Sequence, residues 1–330
     1  MSDYIVYYDS GTSNSRIYLL NREFEVVYTE KKSVGSKDSA AAGDNLVLIQ
    51  GLYELYRQML SETGIAESEM DPVIYASGMV TSPYGLKEAP HLMIPASAQD
   101  FAEALVPFRE ERVFGRDFLL VRGMKTGGDD IAQINNMRGE EIEIIGTLDE
   151  LARRYGGRKI ALIFPGSHTH TVLVEEGCVK GILSSMTGEL FYAMKKDTIL
   201  APLLDIPERE LDPEMVREGM RNLELYGFNR AVYICHAMRL FNRNTPVQRK
   251  SYCEGVLNGG VAKALAFYCG GAWKGCDLAV IVSDPYMFAL YSAILSEHPY
   301  IREIGHLPIS KEKSYAVKGL KMILSARKRG

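Results

Sequence analysis

The chain has 330 residues, of which 46% are hydrophobic and 24% charged, with 30 Gly and 13 Pro. This composition is typical of a folded globular protein and excludes disordered, collagenous and fibrous classes, while the length favours two domains over one. Acidic residues (42) outnumber basic ones (38), the formal net charge is −4, and there is no basic stripe interleaved with aromatic residues, so we expect no nucleic-acid partner.

No apolar run approaches the roughly 18 residues that a membrane span needs, and Met1-Ser2-Asp3 lacks the basic and apolar regions of a signal peptide. We therefore expect a cytoplasmic protein with no membrane partner. The five cysteines are scattered and contain no C-x-x-C pair, a pattern that favours neither disulfides nor a zinc site. Cys235 beside His236 resembles a nucleophilic pair, but the apolar helical run around them favours a buried thiol.

The first thirty residues predict a β-meander. Strands are expected at 4–8, 16–20 and 26–28, and the connection 9–15 is a cluster of turn-forming residues. This polar tip offers a glycine for close backbone approach, hydroxyl and N–H donors, and a carboxylate that can hold hydrated magnesium. Such residues suit a phosphate site, although taken alone they are more typical of ordinary hairpin geometry.

Helices and strands alternate after the meander. A helix is predicted over 48–59 and a strand over 72–76, followed by a helix over 97–105 and a strand over 118–121. A glycine-rich loop then leads into a helix that begins near Arg138 or Gly139. This alternation predicts an α/β class.

A second meander follows in the other half of the chain. It has predicted strands at 160–164, 171–174 and 178–183 around a polar tip at 165–170. Gly166-Ser167 stands where Gly11-Thr12 stands in the first meander. Because strand lengths, tip chemistry and order match, the sequence predicts a duplication with domains 1–150 and 151–330; two unrelated hairpins are the alternative. Two such tips, one on each side of a cleft, would clamp a polyphosphate.

The second half continues with longer elements. A helix capped by Thr187, a helix over 247–268, a buried strand at 278–282 and a final amphipathic helix over 311–327 are predicted. The predicted fold is therefore α/β, with two meander-led domains and a cleft between them.

Four ordered motifs resemble those of the 2-dehydro-3-deoxygalactonokinase family. They are Gly78-Met79-Val80 leading through Ala89-Pro90 to Ile94-Pro95-Ala96, then Met137-Arg138-Gly139-Glu140-Glu141 with Ile145-Gly146, then Pro165-Gly166-Ser167-His168, and Met186-Thr187-Gly188-Glu189-Leu190. The resemblance covers Asp9 to at least Leu190 and weakens after about residue 200.

The resemblance implies the actin, Hsp70 and sugar-kinase superfold, in which two duplicated ribonuclease-H-like domains close over ATP. It also implies an ATP- and Mg²⁺-dependent kinase acting on a small-molecule sugar acid. The expected acceptor is the terminal O6 hydroxyl of 2-dehydro-3-deoxygalactonate or a close 2-keto-3-deoxy sugar acid.

The resemblance assigns the two phosphate motifs, and the sequence adds candidates for the adenosine and substrate contacts. The first phosphate motif comprises Gly11, Thr12, Ser13, Asn14 and Arg16, with Asp9 holding magnesium through water. The second comprises Gly166, Ser167 and His168. Adenosine contacts are expected from Gly259 and Ser283. Substrate contacts are expected from Met79, Ser82, Tyr84, Gly85, Lys87, Arg138 and His170.

Glu140 is the expected catalytic base, and Asp9 acts with it. The segment around Glu140 looks like the Gly-Asp-Gln helix start of larger carbohydrate kinases, and phosphoryl transfer to an alcohol needs one carboxylate to accept the hydroxyl proton. Glu140 and Glu141 point about 100° apart on a helix, so only one of them faces the site. Arg138 would hold the other or bind phosphate. Alternatively, both carboxylates merely suit the positive end of the helix dipole.

Several positions depart from the family pattern. His170 stands where Lys is common, and Leu86 and Thr171 where an aromatic residue is common. Tyr8-Asp9-Ser10 stands where an Asp followed by a small residue or Trp and then Gly is usual, a milder change. These departures leave open a catalytically altered nucleotide-binding sensor or scaffold, or a kinase for a different carbohydrate. Which sugar acid is bound, and whether the protein forms a homodimer, also stay open.

His168 and His170 lie two residues apart, on one face of a strand, without a recognisable third metal ligand. A phosphate or sugar contact is therefore favoured over zinc. An imidazole at position 170 is protonated only near or below its reference pKa of about 6.5. If it holds the substrate carboxylate, KM should rise between roughly pH 6 and pH 8.

Overall fold

The computed structural model of the protein describes residues 3–207, 209–310 and 314–328. The chain divides into two compact units, Met1–Arg154 together with Ser314–Gly330, and Tyr155–Lys313. This division departs from the expected domains 1–150 and 151–330 mainly because the C-terminal segment belongs to the first unit.

The first unit is built on a six-stranded and a three-stranded sheet. Its strands are β1 (Tyr4–Ser10), β2 (Ser15–Asn21), β3 (Val26–Lys32), β4 (Val73–Gly78), β5 (Leu92–Met93), β6 (Val106–Glu110), β7 (Arg116–Leu120), β8 (Met124–Lys125) and β9 (Asn136–Met137). The large sheet has the order β3-β2-β1-β4-β7-β6, and the small one β5-β8-β9. Strands β1, β4 and β7 run parallel, so their carboxyl ends meet at one edge, where ligands bind in open α/β sheets.

Four helices of the first unit lie within residues 3–155. They are α1 (Ser36–Ala42), α2 (Leu46–Thr63), α3 (Ala98–Glu103) and α4 (Glu140–Tyr155), with short 3-10 turns at Glu67–Glu69, Met79–Thr81 and Ile131–Gln133. Apolar residues at helical spacing on α2, Leu48, Leu52, Leu55 and Met59, are at most 2% exposed and pack on the sheet. The helix ends at Gly64, whose left-handed φ of 68° suits glycine.

The second unit has one five-stranded sheet with the order β12-β11-β10-β13-β14. Its strands are β10 (Ile160–Phe164), β11 (His168–Glu175), β12 (Cys178–Met186), β13 (Leu278–Ser283) and β14 (Glu303–Pro308). Its helices are α5 (Gly188–Asp197), α6 (Ala201–Leu204), α7 (Pro213–Tyr226), α8 (Phe228–Leu240), α9 (Pro246–Gly270) and α10 (Pro285–Leu295). Strand β13 is buried along its whole length, as its continuous apolar run predicts.

The two large sheets repeat one topology. The order β3-β2-β1-β4-β7 matches β12-β11-β10-β13-β14, with the first three strands antiparallel and the last three parallel in each unit. The predicted α/β class with two duplicated, meander-led sheets is therefore confirmed.

The last helix, α11 (Tyr315–Arg327), explains the assignment of the C-terminal segment. A Cβ atom on Gly146 of α4 would lie 1.9 Å from the carbonyl oxygen of Tyr315, and one on Gly319 would lie 1.9 Å from that of Ile142. Glycine at both positions lets the backbones of α4 and α11 touch. From its position in the chain alone, α11 would be assigned to the second unit.

All five cysteines are free, and Cys235 is fully buried, as the apolar run around it predicts. Within the residues that the structure describes, no helix has the length and apolar character needed to cross a membrane.

Candidate active site

Residues 11–14, here called tip 1, connect β1 to β2. The N–H of Gly11 donates to the carbonyl of Asn14 (2.8 Å), which closes the turn. At the start of α1, the N–H groups of Ser36 and Lys37 donate to the carbonyls of Gly11 and Thr12 (3.2 and 3.0 Å). A Cβ on Gly35 would lie 2.4 Å from the Thr12 oxygen, so glycine is required for this approach. Because α1 holds the carbonyls of tip 1, the groups that tip 1 presents to a ligand are hydroxyl and N–H donors.

The start of α4 lies beside the ends of β1 and β4. A Cβ on Gly78, whose φ is 89°, would lie 2.3 Å from the carbonyl oxygen of Ser10, and one on Gly139 (φ 125°) would lie 3.9 Å from the Cα of Gly78. The two left-handed glycines therefore bring Glu140 to the sheet edge that carries Asp9 and tip 1.

Asp9, Glu140 and Glu143 form an acidic cluster at this edge. Burial raises the pKa of Glu143 to about 8, and the charges of Asp9 and Glu140 add to the effect. Burial also raises the pKa of Asp9, while the Arg16 guanidinium opposes that rise. Glu143 therefore carries a proton at neutral pH for most of the time, which limits the negative charge of the cluster. Sequence reasoning missed Glu143; its place one turn after Glu140 is the signal that points to it.

Glu141 points into the interior, whereas Glu140 is half-buried at the start of α4. The Oε2 atom of Glu141 accepts a hydrogen bond from the N–H of Gly139 (2.6 Å), and burial raises the pKa of its carboxyl well above the ordinary value. Of the adjacent pair, only Glu140 is thus placed to meet a ligand.

The sequence predicts Arg138 as a substrate or phosphate contact, but its guanidinium is engaged within the first unit. It donates to the hydroxyl of Thr81 and the carbonyl of Ala89 (3.2 Å), and contacts the ring of His91 (3.3 Å). Burial and the charge of Arg138 lower the pKa of His91. Arg138 therefore fixes the segment after β4 in place.

Other predicted substrate contacts lie on the same segment. Met79 is half-buried directly after β4, Ser82 is 3% exposed and Tyr84 is 52% exposed. Gly85 is packed, because a Cβ there would lie 2.3 Å from the carbonyl oxygen of Met79. Lys87 does not join them, since its ammonium donates to the carbonyl of Pro107 on the edge strand β6 (3.1 Å).

Residues 165–167, here called tip 2, connect β10 to β11 and repeat the design of tip 1. The N–H of Glu189 in α5 donates to the carbonyl of Ser167 (2.8 Å). A Cβ on Gly188 would lie 2.3 Å from the carbonyl oxygen of Gly166. Both tips are therefore shorter than predicted, because the flanking ladders continue into the polar residues, and each is held by the next helix.

His168 and His170 belong to β11 rather than to tip 2. His168 is exposed, with its Nε2 3.2 Å from Oε2 of Glu189. His170 is 5% exposed, and its Nδ1 shares a hydrogen bond with the Ser184 hydroxyl (2.9 Å). Burial, followed by the charge of His168, lowers the pKa of His170 to about 4. The imidazole is neutral between pH 6 and pH 8, contrary to the expected carboxylate contact.

A cavity of about 410 Å³ lies beside tip 2 in the second unit. Its walls include Lys250, Glu254 and Asn258 of α9 and Tyr286 of α10. The amide of Asn258 donates to Oε2 of Glu254 (3.0 Å), and the hydroxyl of Tyr286 donates to its Oε1 (3.4 Å). Burial raises the pKa of Glu254 to about 7, while Lys250 opposes the rise.

A chain of side chains connects this carboxyl to the base of α5. Tyr291 donates to Oδ1 of Asn258 (3.1 Å), and its hydroxyl shares a hydrogen bond with Thr169 (2.6 Å). Thr169 in turn bonds the hydroxyl of Thr187, the residue before α5 (2.8 Å). The cavity wall and the residues that hold tip 2 are thus one buried polar network.

The two predicted adenosine residues, Gly259 and Ser283, are not among the residues that line this cavity. A Cβ on Gly259 would lie 3.0 Å from the Cγ of Met220, so this glycine serves the packing of α9 against α7. Ser283 is 2% exposed, and its hydroxyl donates to the carbonyl of Asp284 (2.9 Å). The lining residues of α9 recur every four positions, at 250, 254 and 258, and this polar stripe on an apolar helix is the signal that was available.

Two sheets of one topology, each with a polar tip held by the helix that follows, define the protein as a two-unit α/β protein of the actin-like kinase fold. A solved structure from Sinorhizobium meliloti shows the same fold: it aligns over 99% of this chain and 98% of its own with a TM-score of 0.75 and 22% identity, and its name assigns it provisionally to the 2-dehydro-3-deoxygalactonokinases.

The family model of 2-keto-3-deoxy-galactonokinase matches residues 9–320, so the chain belongs to that family. A Rhizobium meliloti (strain 1021) protein, named probable 2-dehydro-3-deoxygalactonokinase DgoK1, is 25% identical over 193 residues, 58% of this chain and 56% of the relative. The Escherichia coli (strain K12) 2-dehydro-3-deoxygalactonokinase is 30% identical over 144 residues, 44% of each chain. The chain thus spans about half the length of the curated relatives it matches.

Proposed function

We propose that the protein transfers the terminal phosphoryl group of ATP to the O6 hydroxyl of 2-dehydro-3-deoxygalactonate or a close 2-keto-3-deoxy sugar acid. Family membership supports the reaction class. The observation that carries the proposal is the acidic cluster of Asp9, Glu140 and Glu143 beside tip 1, at the sheet edge where ligands bind in this class of fold.

Glu140 accepts the proton of the acceptor hydroxyl in this proposal. A general base must be accessible and ionised, and Glu140 meets the first condition because it lies at the surface of the helix start, whereas Glu141 is interior. The raised pKa of Glu143 keeps that neighbour neutral for most of the time at pH 7, so it takes no proton from the substrate. Among the three glutamates in the first turn of α4, proton acceptance is thus assigned to Glu140.

Asp9 is proposed to hold Mg²⁺ through water, and the residues fit such an ion. The structure brings no three His, Cys, Asp or Glu side chains into a metal-binding group within its described ranges. Mg²⁺ often binds proteins through one or two carboxylates, water and substrate phosphates, so a single carboxylate at a polar tip suffices. When bound, the ion would neutralise charge on the phosphates.

The cavity beside tip 2 is proposed to receive the nucleoside of ATP. Its volume of about 410 Å³ falls within the range of small-molecule sites, roughly 300–1,000 Å³. Glu254 and Asn258 provide acceptors for ribose hydroxyls or an amino group, and tip 2 provides donors for phosphate. These are roles of the second unit alone.

The test is ADP release in a coupled assay with Mg-ATP and a panel of 2-keto-3-deoxy sugar acids, their epimers and the corresponding neutral sugars. We expect turnover with at least one acid, and phosphorus coupled to the C6 protons in the NMR spectrum of the product. ATP binding without turnover would identify a nucleotide-binding sensor instead. Turnover confined to neutral sugars would identify a kinase for another carbohydrate.

A further inference from the structure

Arg122 is a half-buried cation at the sheet edge of the first unit. It follows β7 by two residues, and the N–H of Val121 still donates to the carbonyl of Ala76 on the parallel neighbour β4 (2.8 Å). Arg122 therefore lies at the edge formed by the carboxyl ends of β1, β4 and β7. Among the described residues, no hydrogen-bond partner is found for its Nε, which is inaccessible to solvent. An unpaired buried guanidinium N–H costs free energy unless a ligand satisfies it.

A second polar group without a partner lies on the adjoining segment. The hydroxyl of Thr81 donates to the carbonyl of Val121 (3.4 Å). Ser82 directly follows Thr81 and Arg122 directly follows Val121, so the two residues lie on adjoining segments. The hydroxyl oxygen of Ser82 is buried and has no hydrogen-bond partner within the described part of the chain. Two unsatisfied donors thus come from two neighbouring segments at one edge.

The basic side chains of this unit that the sequence assigns to phosphate or substrate contacts have protein partners. Arg16 donates to the hydroxyl of Tyr18 (3.3 Å), Arg138 is held by the segment after β4, and Lys87 is held by β6. An anionic acceptor approaching an acidic cluster, in a protein of net charge −4, needs a local cation. Arg122 has the planar pair of donors that matches a carboxylate.

We propose that Arg122, assisted by the Ser82 hydroxyl, binds the carboxylate of the acceptor and thereby selects sugar acids over neutral sugars. The inference rests on the proposed function, because it assumes that the acceptor is a sugar acid. It places acid selection in the same unit as Glu140. A neutral sugar would leave the guanidinium unpaired, and a site built around a charged partner rejects a ligand that lacks it.

Steady-state kinetics of Arg122→Gln tests the proposal, with KM for the acid, KM for ATP and turnover of the matching neutral sugar measured together. We expect KM for the acid to rise about 10- to 100-fold while KM for ATP stays unchanged, because charge-assisted hydrogen bonds are lost only to the acid. Arg122→Lys should fall between wild type and Arg122→Gln, and Ser82→Ala should raise KM for the acid a few-fold. Lys125→Gln, which removes an exposed cation on β8, is the matched control and should leave KM for the acid unchanged.

The outcomes separate this inference from the proposed function. Wild-type turnover of a sugar acid with an unchanged KM in Arg122→Gln overturns the assignment of Arg122 and leaves the kinase activity standing. Equal losses for the acid and the neutral sugar show a structural role and also overturn it. Absence of transfer to any acid by the wild type overturns the proposed function, and the carboxylate site with it. Thermal unfolding of each variant, compared with wild type, identifies a folding defect. If Arg122→Gln has such a defect, the KM of Arg122→Lys for the acid decides whether Arg122 binds the carboxylate.

Discussion

Tips 1 and 2 share one backbone design and carry different chemistry. In each, the N-terminal N–H groups of the following helix hold the tip carbonyls, and a glycine permits the approach, Gly35 in the first unit and Gly188 in the second. The strand pairs that lead into the two tips, β1–β2 and β10–β11, differ in the residues next to the tip. Asp9 lies opposite Arg16 in the first unit, whereas Phe164 lies opposite His170 in the second.

Under the proposed function, this difference favours separate tasks for the two tips. The first unit combines the tip with ionisable carboxyl groups, which proton transfer and a metal ion require. The second combines its tip with an apolar residue, a neutral imidazole and a cavity. The carboxyl in that cavity, Glu254, accepts hydrogen bonds from Asn258 and Tyr286, an arrangement that suits binding rather than chemistry. We therefore expect changes in the first unit to affect kcat and changes in the second to affect the KM for ATP.

The largest effect is expected for Glu140→Gln, which keeps the shape of the side chain but cannot accept a proton. We expect kcat to fall by about 10²-fold or more, with the KM for ATP nearly unchanged. Glu141→Gln is the matched control: that carboxyl is interior and its pKa is raised, so an amide can replace it and still accept the N–H of Gly139. Comparable losses of kcat in both variants would contradict the assignment.

An intermediate effect is expected when the shared backbone design is broken in one unit at a time. Gly188→Ala should raise the KM for ATP about tenfold, the factor that about 1.4 kcal/mol of lost binding produces, because the new Cβ displaces Gly166. Gly35→Ala should instead lower kcat, because it displaces tip 1. Gly260→Ala, where a Cβ meets nothing within 4 Å, is the control and should resemble wild type. If Gly35→Ala and Gly188→Ala change the same kinetic constant, the division of tasks is wrong.

The smallest kinetic effect is expected for His170. Because burial lowers its pKa to about 4, His170 does not titrate between pH 6 and pH 8, and KM for the acid in that range should not follow its protonation. His170→Gln should therefore have the same KM profile as wild type, measured at saturating Mg-ATP. A rise of KM through pH 6.5 that the variant abolishes would restore the sequence-based expectation.

His170 should affect stability below neutral pH instead. The unfolded imidazole has a pKa of about 6.5, so from about pH 6.5 down to pH 4 the unfolded state binds a proton that the folded state does not. The contribution of this group to stability should be constant above pH 6.5 and fall as the pH decreases, on the order of 1 kcal/mol per pH unit. Thermal unfolding against pH, compared with His170→Gln, isolates that contribution.

Much of the fold followed from local patterns in the sequence. Both meanders and the helix beginning after Gly139 have clear periodicity or turn chemistry. The tips came out shorter because hydrogen bonding of the ladder, which turn composition does not reveal, extends β1 to Ser10 and starts β11 at His168. The placement of α11 depends on Gly146 and Gly319, two glycines that only a packed pair of helices explains.

The candidate site was less predictable because its features are tertiary. Motif order points to Asp9 and Glu140, but the proton held by Glu143 depends on burial beside both of them. The partners that occupy Arg138, and the absence of one for the Nε of Arg122 within the described residues, arise from segments distant in the sequence. The family motif includes Arg138, whereas Arg122 belongs to none of the motifs.

The central claim is that Asp9, on the strand that leads into tip 1, holds magnesium, whereas the residue on the strand that leads into tip 2, Phe164, has no carboxylate to do so. Magnesium titration of turnover in wild type and Asp9→Asn tests it most directly, with ATP held saturating and binding of a non-hydrolysable ATP analogue measured in parallel. The account predicts a half-saturating magnesium concentration raised about 10- to 100-fold, the usual cost of losing a group that holds a metal through water, together with a lower kcat and retained analogue binding. Superimposable magnesium curves for the two proteins would contradict it.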